Sequence, residues 1–163
     1  MDDSRYSIDD GGIDAIDNQI LGALQKNAQT TQAQIAHRVG LSQPAVAERV
    51  RKLEKGGVIR GYMARVDPQR VGTLVRAFIG VSVDHPRYHE SFARKVRAIP
   101  EVLECHRVAG VESYLLKVMT RNTDTLDRLI CDGIRRIPGV TRTHTTVVLS
   151  AIKEEAVIPL PEL

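Results

Sequence analysis

The strongest constraint in this chain is the helix punctuation between residues 14 and 57, which admits three short helices and two tight turns. Ile16, Ile20 and Leu24 recur at four-residue spacing with Ile13 and Leu21 beside them, predicting a first helix. Asp14 is placed as its N-cap, and Asp17 lies near the positive helix end. Asn27-Ala28-Gln29 interrupts the pattern. Thr31 then caps a short second helix with Ile35, Ala36 and Val39 as its inner stripe and Gly40 as its terminator. In Leu41-Ser42-Gln43-Pro44, Ser42 is the next N-cap, and Pro44 falls in the first turn, where its missing N–H costs little. Val46, Val50 and Leu53 repeat at i, i+4, i+7 as the inner face of a third helix, which Gly56-Gly57 ends. Alternation from Val58 to Val66 predicts a strand or wing.

Two helices joined by a Gly-containing turn, the second of them basic, have the form of a DNA-binding helix-turn-helix. Residues 43–65 carry Arg49, Arg51, Lys52, Lys55, Arg60 and Arg65 against Glu48 and Glu54. Such a local excess suits phosphate contact, although a solvated helix face has the same composition. Gln43, near the helix N-terminus, is placed to pair with adenine, and Ala45 and Ala47 permit close approach or touch a thymine methyl. Arg49, Arg51, Lys52 and the wing residue Arg60 are placed for phosphates, which position a protein without specifying sequence. Ser42 belongs to the same surface. Glu48 repels phosphate unless it pairs with Arg51 or Lys52 or reads cytosine.

Asp67-Pro68-Gln69-Arg70-Val71-Gly72 punctuates the chain, and beyond it the pattern changes. Ala77, Ile79, Val81 and Val83 alternate as a strand; Phe92, Val96 and Ile99 mark a helix stopped by Pro100. Val102 to Val108 and Tyr114 to Met119 form two strands turned around Gly110. Leu126, Leu129, Ile130, Ile134 and Ile137 make one amphipathic helix ending at Pro138-Gly139, and a last strand covers Thr141 to Ile152. The order βαββαβ is that of a ferredoxin-like sandwich, with helices on one sheet face and the other face left for a second copy of the chain. The expected class is α+β, divided into a flexible tail (1–12), a winged helix-turn-helix (13–64), a linker (65–75) and a ferredoxin-like domain (76–163).

Three groups of residues together resemble the leucine-responsive regulatory protein (Lrp/AsnC) family. They are Ile13 to Leu21; Ile35-Ala36-His37-Arg38-Val39-Gly40-Leu41-Ser42 with Val46 and Arg49 to Glu54; and Gly57-Val58-Ile59-Arg60-Gly61-Tyr62. Pro100 to His106, Pro138-Gly139-Val140 and Thr143-His144-Thr145-Thr146 continue the likeness into the second half. The resemblance implies a transcriptional regulator that binds double-stranded DNA, dimerises through the second domain's sheet and assembles further into octamers. It also implies an amino-acid effector at the turn Gly110-Val111-Glu112-Ser113-Tyr114. The apolar setting favours an aliphatic or sulfur-containing side chain. The family pattern has an acidic residue after the glycine and an Asp before the tyrosine; this chain has Val111 and Ser113 there and keeps only Glu112 between them. A ligand ammonium needs a carboxylate or carbonyl acceptors, because an unpaired buried charge is expensive. Gly110 suits either close approach of a ligand or a plain hairpin turn, and Thr143, His144 and Thr145 suit either a pocket wall or a half-buried strand.

Other chemistries find little support. Cys105 and His106 are strand neighbours pointing to opposite faces, which rules out a dyad and leaves Cys105 as a small core residue. His85 and His89 have helical ligand spacing, but Pro86 disfavours a helical His85, and no metal or cofactor is expected. No phosphate loop, nucleophile elbow or carboxylate pair argues for an enzyme. The acidic beginning, with six Asp against Arg5 over residues 2–17, is unlike a signal peptide, and no apolar run spans a bilayer. A cytoplasmic, nucleoid-associated protein follows. The competing expectation is an architectural protein that compacts DNA with little sequence reading.

Overall fold

Side chains at the helix ends determine where the first three helices begin. At the start of α1 (Ala15–Lys26), the Asp14 side chain accepts from the Asp17 N–H at 2.7 Å, and the Asp17 side chain accepts from the Asp14 N–H at 3.3 Å. Thr31 and Gln34 make the same reciprocal pair at α2 (Gln32–Val39), and Gly40 closes it at φ 69. Ser42 caps α3 (Gln43–Lys55) by accepting from the Ala45 N–H at 3.3 Å. A cap contributes about 1 kcal/mol, while each fully buried aliphatic side chain contributes roughly 1.5–3 kcal/mol. Caps therefore fix the boundaries, and the cluster of Ile20, Leu21, Ile35, Val46, Val50 and Leu53 holds the helices together.

The computed structural model describes residues 12–161; the expected tail, apart from Gly12, lies outside them. The chain divides into two units, one running to Arg65 and taking in Glu154 onward, the other covering Val66–Lys153. Residues 154–161 thus pack with the three helices and not with the ferredoxin-like domain to which the sequence pattern assigns them. Leu160 lies against the first core, and the Gln25 side chain bonds both the N–H and the C=O of Ile158. The expected strand at 58–66 is also absent. The Val58 and Ile59 N–H groups both donate to the Leu53 carbonyl, at 2.9 and 3.1 Å, which wraps the chain around the end of α3.

The second unit runs β1 (Val75–Val83), α4 (His89–Arg97), β2 (Val102–Arg107), β3 (Tyr114–Thr120), α5 (Thr123–Arg128) and β4 (Val140–Val147), and its four strands form an antiparallel sheet in the order β2-β3-β1-β4. Ala77, Ile79 and Val81 of β1 and Leu116 and Val118 of β3 meet Phe92, Val96 and Ile134 in the helix-side core. Phe78 and Leu115 point to the opposite face and stay 37% and 38% exposed.

Three details differ from the sequence pattern. The stretch expected as one helix changes after Arg128 into a π-helical turn, Leu129–Ile134. Residues five apart sit about 140° apart on an α-helix. The wider turn, marked by Arg135 N–H to Ile130 C=O at 2.9 Å, lets Leu129 and Ile134 share the buried face. The last strand ends at Val147 rather than Ile152: its final bond to β1 runs from the Val148 N–H to the Arg76 carbonyl at 2.9 Å, and Leu149 and Ile152 are almost wholly exposed. Cys105 is exposed and not a core residue, since β2 is an edge strand with little helix cover.

Gly139 adopts φ 88, and a Cβ there would lie 2.4 Å from the Tyr88 Cγ. Gly139→Ala is expected to destabilise the second unit by about 2–4 kcal/mol, combining left-handed strain with overpacking. Urea unfolding monitored by circular dichroism checks this; an unchanged midpoint would contradict it.

Candidate nucleic-acid interface and effector loop

With Val46, Val50 and Leu53 turned inward, α3 presents a continuous outer surface. Ser42, Gln43, Glu48, Arg51 and Lys52 are exposed on or beside it, and Ala45 and Ala47 are half-buried small residues at its N-terminal half. Gln43 stands at the first helical position, held there by the Ser42 cap and the following proline. Arg51 and Glu48 form a forked pair, with Arg51 Nη2 at 2.6 and 2.8 Å from the two carboxylate oxygens and Nε at 3.1 Å from one of them. The guanidinium holds the Glu48 carboxyl below its ordinary range. Both side chains are well exposed. Such a pair adds little stability, so a phosphate can displace Glu48 from Arg51.

Arg49, half-buried at the edge of this surface, is engaged by α1. Its Nη1 donates to Asp14 Oδ2 at 2.7 Å and to Asp17 Oδ1 at 2.8 Å, tying the recognition-type helix to the N-terminal cap of α1. The Asp17 N–H and then Arg49 hold the Asp14 carboxyl below its usual range, while the two carboxylates push Arg49 up. Sequence periodicity exposes no such link, because the partners lie 35 and 32 residues apart. Arg60 is exposed beyond the Gly57 turn. Tyr62, not anticipated as functional, donates its hydroxyl to Glu54 Oε1 at 2.9 Å and pins the segment after α3.

The loop between β2 and β3 is built around Ser113. Its N–H donates to the Val81 carbonyl at 2.9 Å, its Oγ accepts from the Val83 N–H at 3.1 Å, and its carbonyl accepts from the Val108 N–H. Ser113 therefore extends the sheet. Gly110 is exposed, has no positive φ, and a Cβ there would meet nothing within 4 Å. Neither turn geometry nor packing demands a glycine at that position. Val111 is also exposed, 77% of its surface open.

The remaining expected effector residues separate onto two faces. Tyr114 is buried on the helix side, its ring centroid 4.5 Å from that of Phe92 and its hydroxyl 2.9 Å from His89 Nδ1. Thr143 and Thr145 pair with Val81 and Ile79 and share that side, and Thr143 Oγ1 accepts from Arg135 Nε. His144 pairs with Gly80 on the opposite face, where Glu112 Oε1 lies 3.9 Å from its Nδ1. Gly80 makes that possible: a Cβ there would sit 2.7 Å from the Glu112 Cγ. A glycine inside a strand is the sequence sign of such close approach, and here it identifies Gly80 as the seat of Glu112.

His85 Nδ1 accepts from the Arg87 N–H, and no group of three metal-ligating side chains occurs among the described residues. No helix among them is long and apolar enough to cross a membrane.

Residues 13–60 match the winged helix-turn-helix DNA-binding model, and residues 76–158 match the Lrp/AsnC ligand binding domain. The leucine-responsive regulatory protein of Escherichia coli K12 is 35% identical over 144 residues, 87% of this chain and 88% of that protein. A Neisseria meningitidis transcriptional regulator in complex with L-methionine superposes with a TM-score of 0.87 at 32% identity, covering 91% of this chain and 97% of that one. A Mycobacterium tuberculosis feast or famine regulatory protein, also complexed with L-methionine, gives 0.84 at 35% identity, with 90% and 99% covered.

The carboxyl of Asp14, depressed in the folded chain, contributes stability that is present above its unfolded pKa of about 3.9 and lost as pH falls through its folded value. Asp14→Asn should therefore flatten the decline in stability of the helical unit below about pH 4. Denaturant titrations between pH 7 and pH 2 test this, and parallel curves for variant and parent would refute it.

Proposed function

This chain belongs to the Lrp/AsnC family of transcriptional regulators, and from that premise we propose that it acts in the cytoplasm as a sequence-reading, effector-responsive DNA-binding protein. The observation that carries the proposal is the outer surface of α3. A capped N-terminus presents Gln43 with Ala45 and Ala47 beside it, and Arg51 and Lys52 follow on the same exposed side. Gln43 reads a base edge in the major groove, Ala47 packs near it, and Arg51, Lys52 and Arg60 contact phosphates together with the Ser42 hydroxyl. Glu48 releases Arg51 to the backbone on binding. Arg49 serves the interface indirectly by fixing how α3 sits against α1.

The effector is an amino acid with an aliphatic or sulfur-containing side chain. The match to a ligand binding domain supports this, as do the methionine complexes of two similar regulators. Gly110 and Val111 leave room at the loop, and the Glu112 carboxylate receives the ammonium group with His144 beside it. Ser113 holds the loop through its bonds to the β1 main chain, and Tyr114, Thr143 and Thr145 hold the strands in place from the helix side. A second copy covers the open sheet face of Phe78 and Leu115, and further assembly reaches an octamer.

Arg51→Ala and Lys52→Ala should each weaken DNA binding and reduce the slope of log affinity against log salt by about 1. Arg49→Ala should lower stability and leave that slope unchanged. Fluorescence anisotropy with labelled duplex at several salt concentrations separates the three, and an equal slope in all would overturn the assignment. Calorimetric titration against the twenty amino acids tests the effector: binding by at least one, weakened roughly tenfold by Glu112→Gln, is expected. Twenty flat traces would remove the ligand and leave the DNA reading intact.

A further inference from the structure

The C-terminal segment has a built seat on α1. Asn18, Gly22 and Gln25 fall at i, i+4 and i+7, so they form one stripe along the helix. At one end, the Gln25 amide treats Ile158 as a neighbouring strand would: its Oε1 accepts from the Ile158 N–H at 2.8 Å and its Nε2 donates to the Ile158 carbonyl at 3.2 Å. At the other end, the Asn18 Nδ2 donates to the Pro161 carbonyl at 2.6 Å. Between them Leu160 is partly buried against the first core, and its Cδ1 lies 4.0 Å from where a Gly22 Cβ would stand.

The seated segment, Ile158-Pro159-Leu160-Pro161, is suited to this role by sequence. Each proline biases the residue before it, Ile158 and Leu160, towards extended backbone, so little conformational freedom is lost on docking. A glycine within a helix costs about 1 kcal/mol relative to alanine. At position 22 a side chain larger than alanine would occupy the space of Leu160. The residues that precede the segment leave the sheet after Val147 and rejoin the helical unit at Glu154, whose carbonyl accepts from Arg65 Nη2 at 3.1 Å.

We infer that the Asn18–Gly22–Gln25 stripe is a peptide-binding site whose ligand is the chain's own Ile158–Pro161 segment, a detachable latch on the DNA-binding unit. The site reads main-chain groups at both ends and one leucine between them, so it accepts the same peptide supplied from outside. When docked, the latch makes residues 154–161 part of the unit that also holds α1, although the chain reaches them from β4.

Hydrogen exchange read by mass spectrometry tests this on the full chain and on a chain ended after Lys153. Ending the chain there should raise exchange across Ala15–Lys26 at least tenfold and leave β1 and β3 unchanged. A synthetic peptide of residues 154–163 should restore protection at millimolar concentration, near the effective concentration that a short tether supplies. The same peptide with Leu160→Asp should not restore it. Should the shortened chain fail to fold, full-length Gly22→Leu gives an independent test. It takes the place of Leu160, so exchange of 154–161 should rise at least tenfold. Unchanged α1 exchange on shortening, equal rescue by both peptides, or unchanged 154–161 exchange in Gly22→Leu would each overturn the inference.

Discussion

The packing of α3 against α1 and α2 governs the rest of the molecule, because one thirteen-residue helix must bury one face and offer the other. Val46, Val50 and Leu53 supply the buried side, and the Ser42 cap decides which residue stands first on the exposed side. Burial alone leaves a helix free to slide or roll by small amounts over an aliphatic core. The Arg49 bridge to Asp14 and Asp17 restrains that freedom, since it joins α3 to the one end of α1 that is already fixed by reciprocal capping. Arg49, which composition assigns to a phosphate, is thus held by two carboxylates at the start of α1 on the helix that bears Gln43, Arg51 and Lys52.

The second unit shows the same economy in its sheet. Alternation sends Ala77, Ile79, Val81, Leu116 and Val118 to the helices, and this commits their neighbours to the other face. Tyr114 is drawn into the helix-side core by Phe92 and His89, which sets the register of β3 at the loop exit. Glu112 then crosses to the opposite face over Gly80 and approaches His144. The only acidic residue in the loop is therefore held beside a histidine, on the sheet face opposite the helices.

Much of this was legible in the sequence because it depends on local signals. Caps at Asp14, Thr31 and Ser42 and the terminator at Gly40 place the first three helices, and two-residue alternation places β1 and β3. What periodicity could not show depends on partners distant in the chain. The Arg49 bridge to Asp14 and Asp17, the docking of Leu160 and the extent of β4 pairing all depend on residues far apart in sequence. The exposure of Cys105 follows from strand order, since the same apolar run is core in a central strand and surface at an edge. The π turn after Arg128 was hidden because its apolar positions also fit, less well, a single α-helix. Among the candidate effector residues, the type was readable and the face was not: Tyr114, Thr143 and Thr145 support from one side what Glu112 and His144 present on the other.

On the reading proposed above, α3 recognises sequence through its first turn. Selection of binding sites from random duplex DNA, carried out in parallel with the natural chain and with Gln43→Arg, tests it most directly. We expect an enriched, two-fold symmetric site for the natural chain. In the variant the preference should change from adenine to guanine at one position of each half-site, with the other positions kept. An absence of enrichment by the natural chain, or an identical site for both proteins, would contradict it.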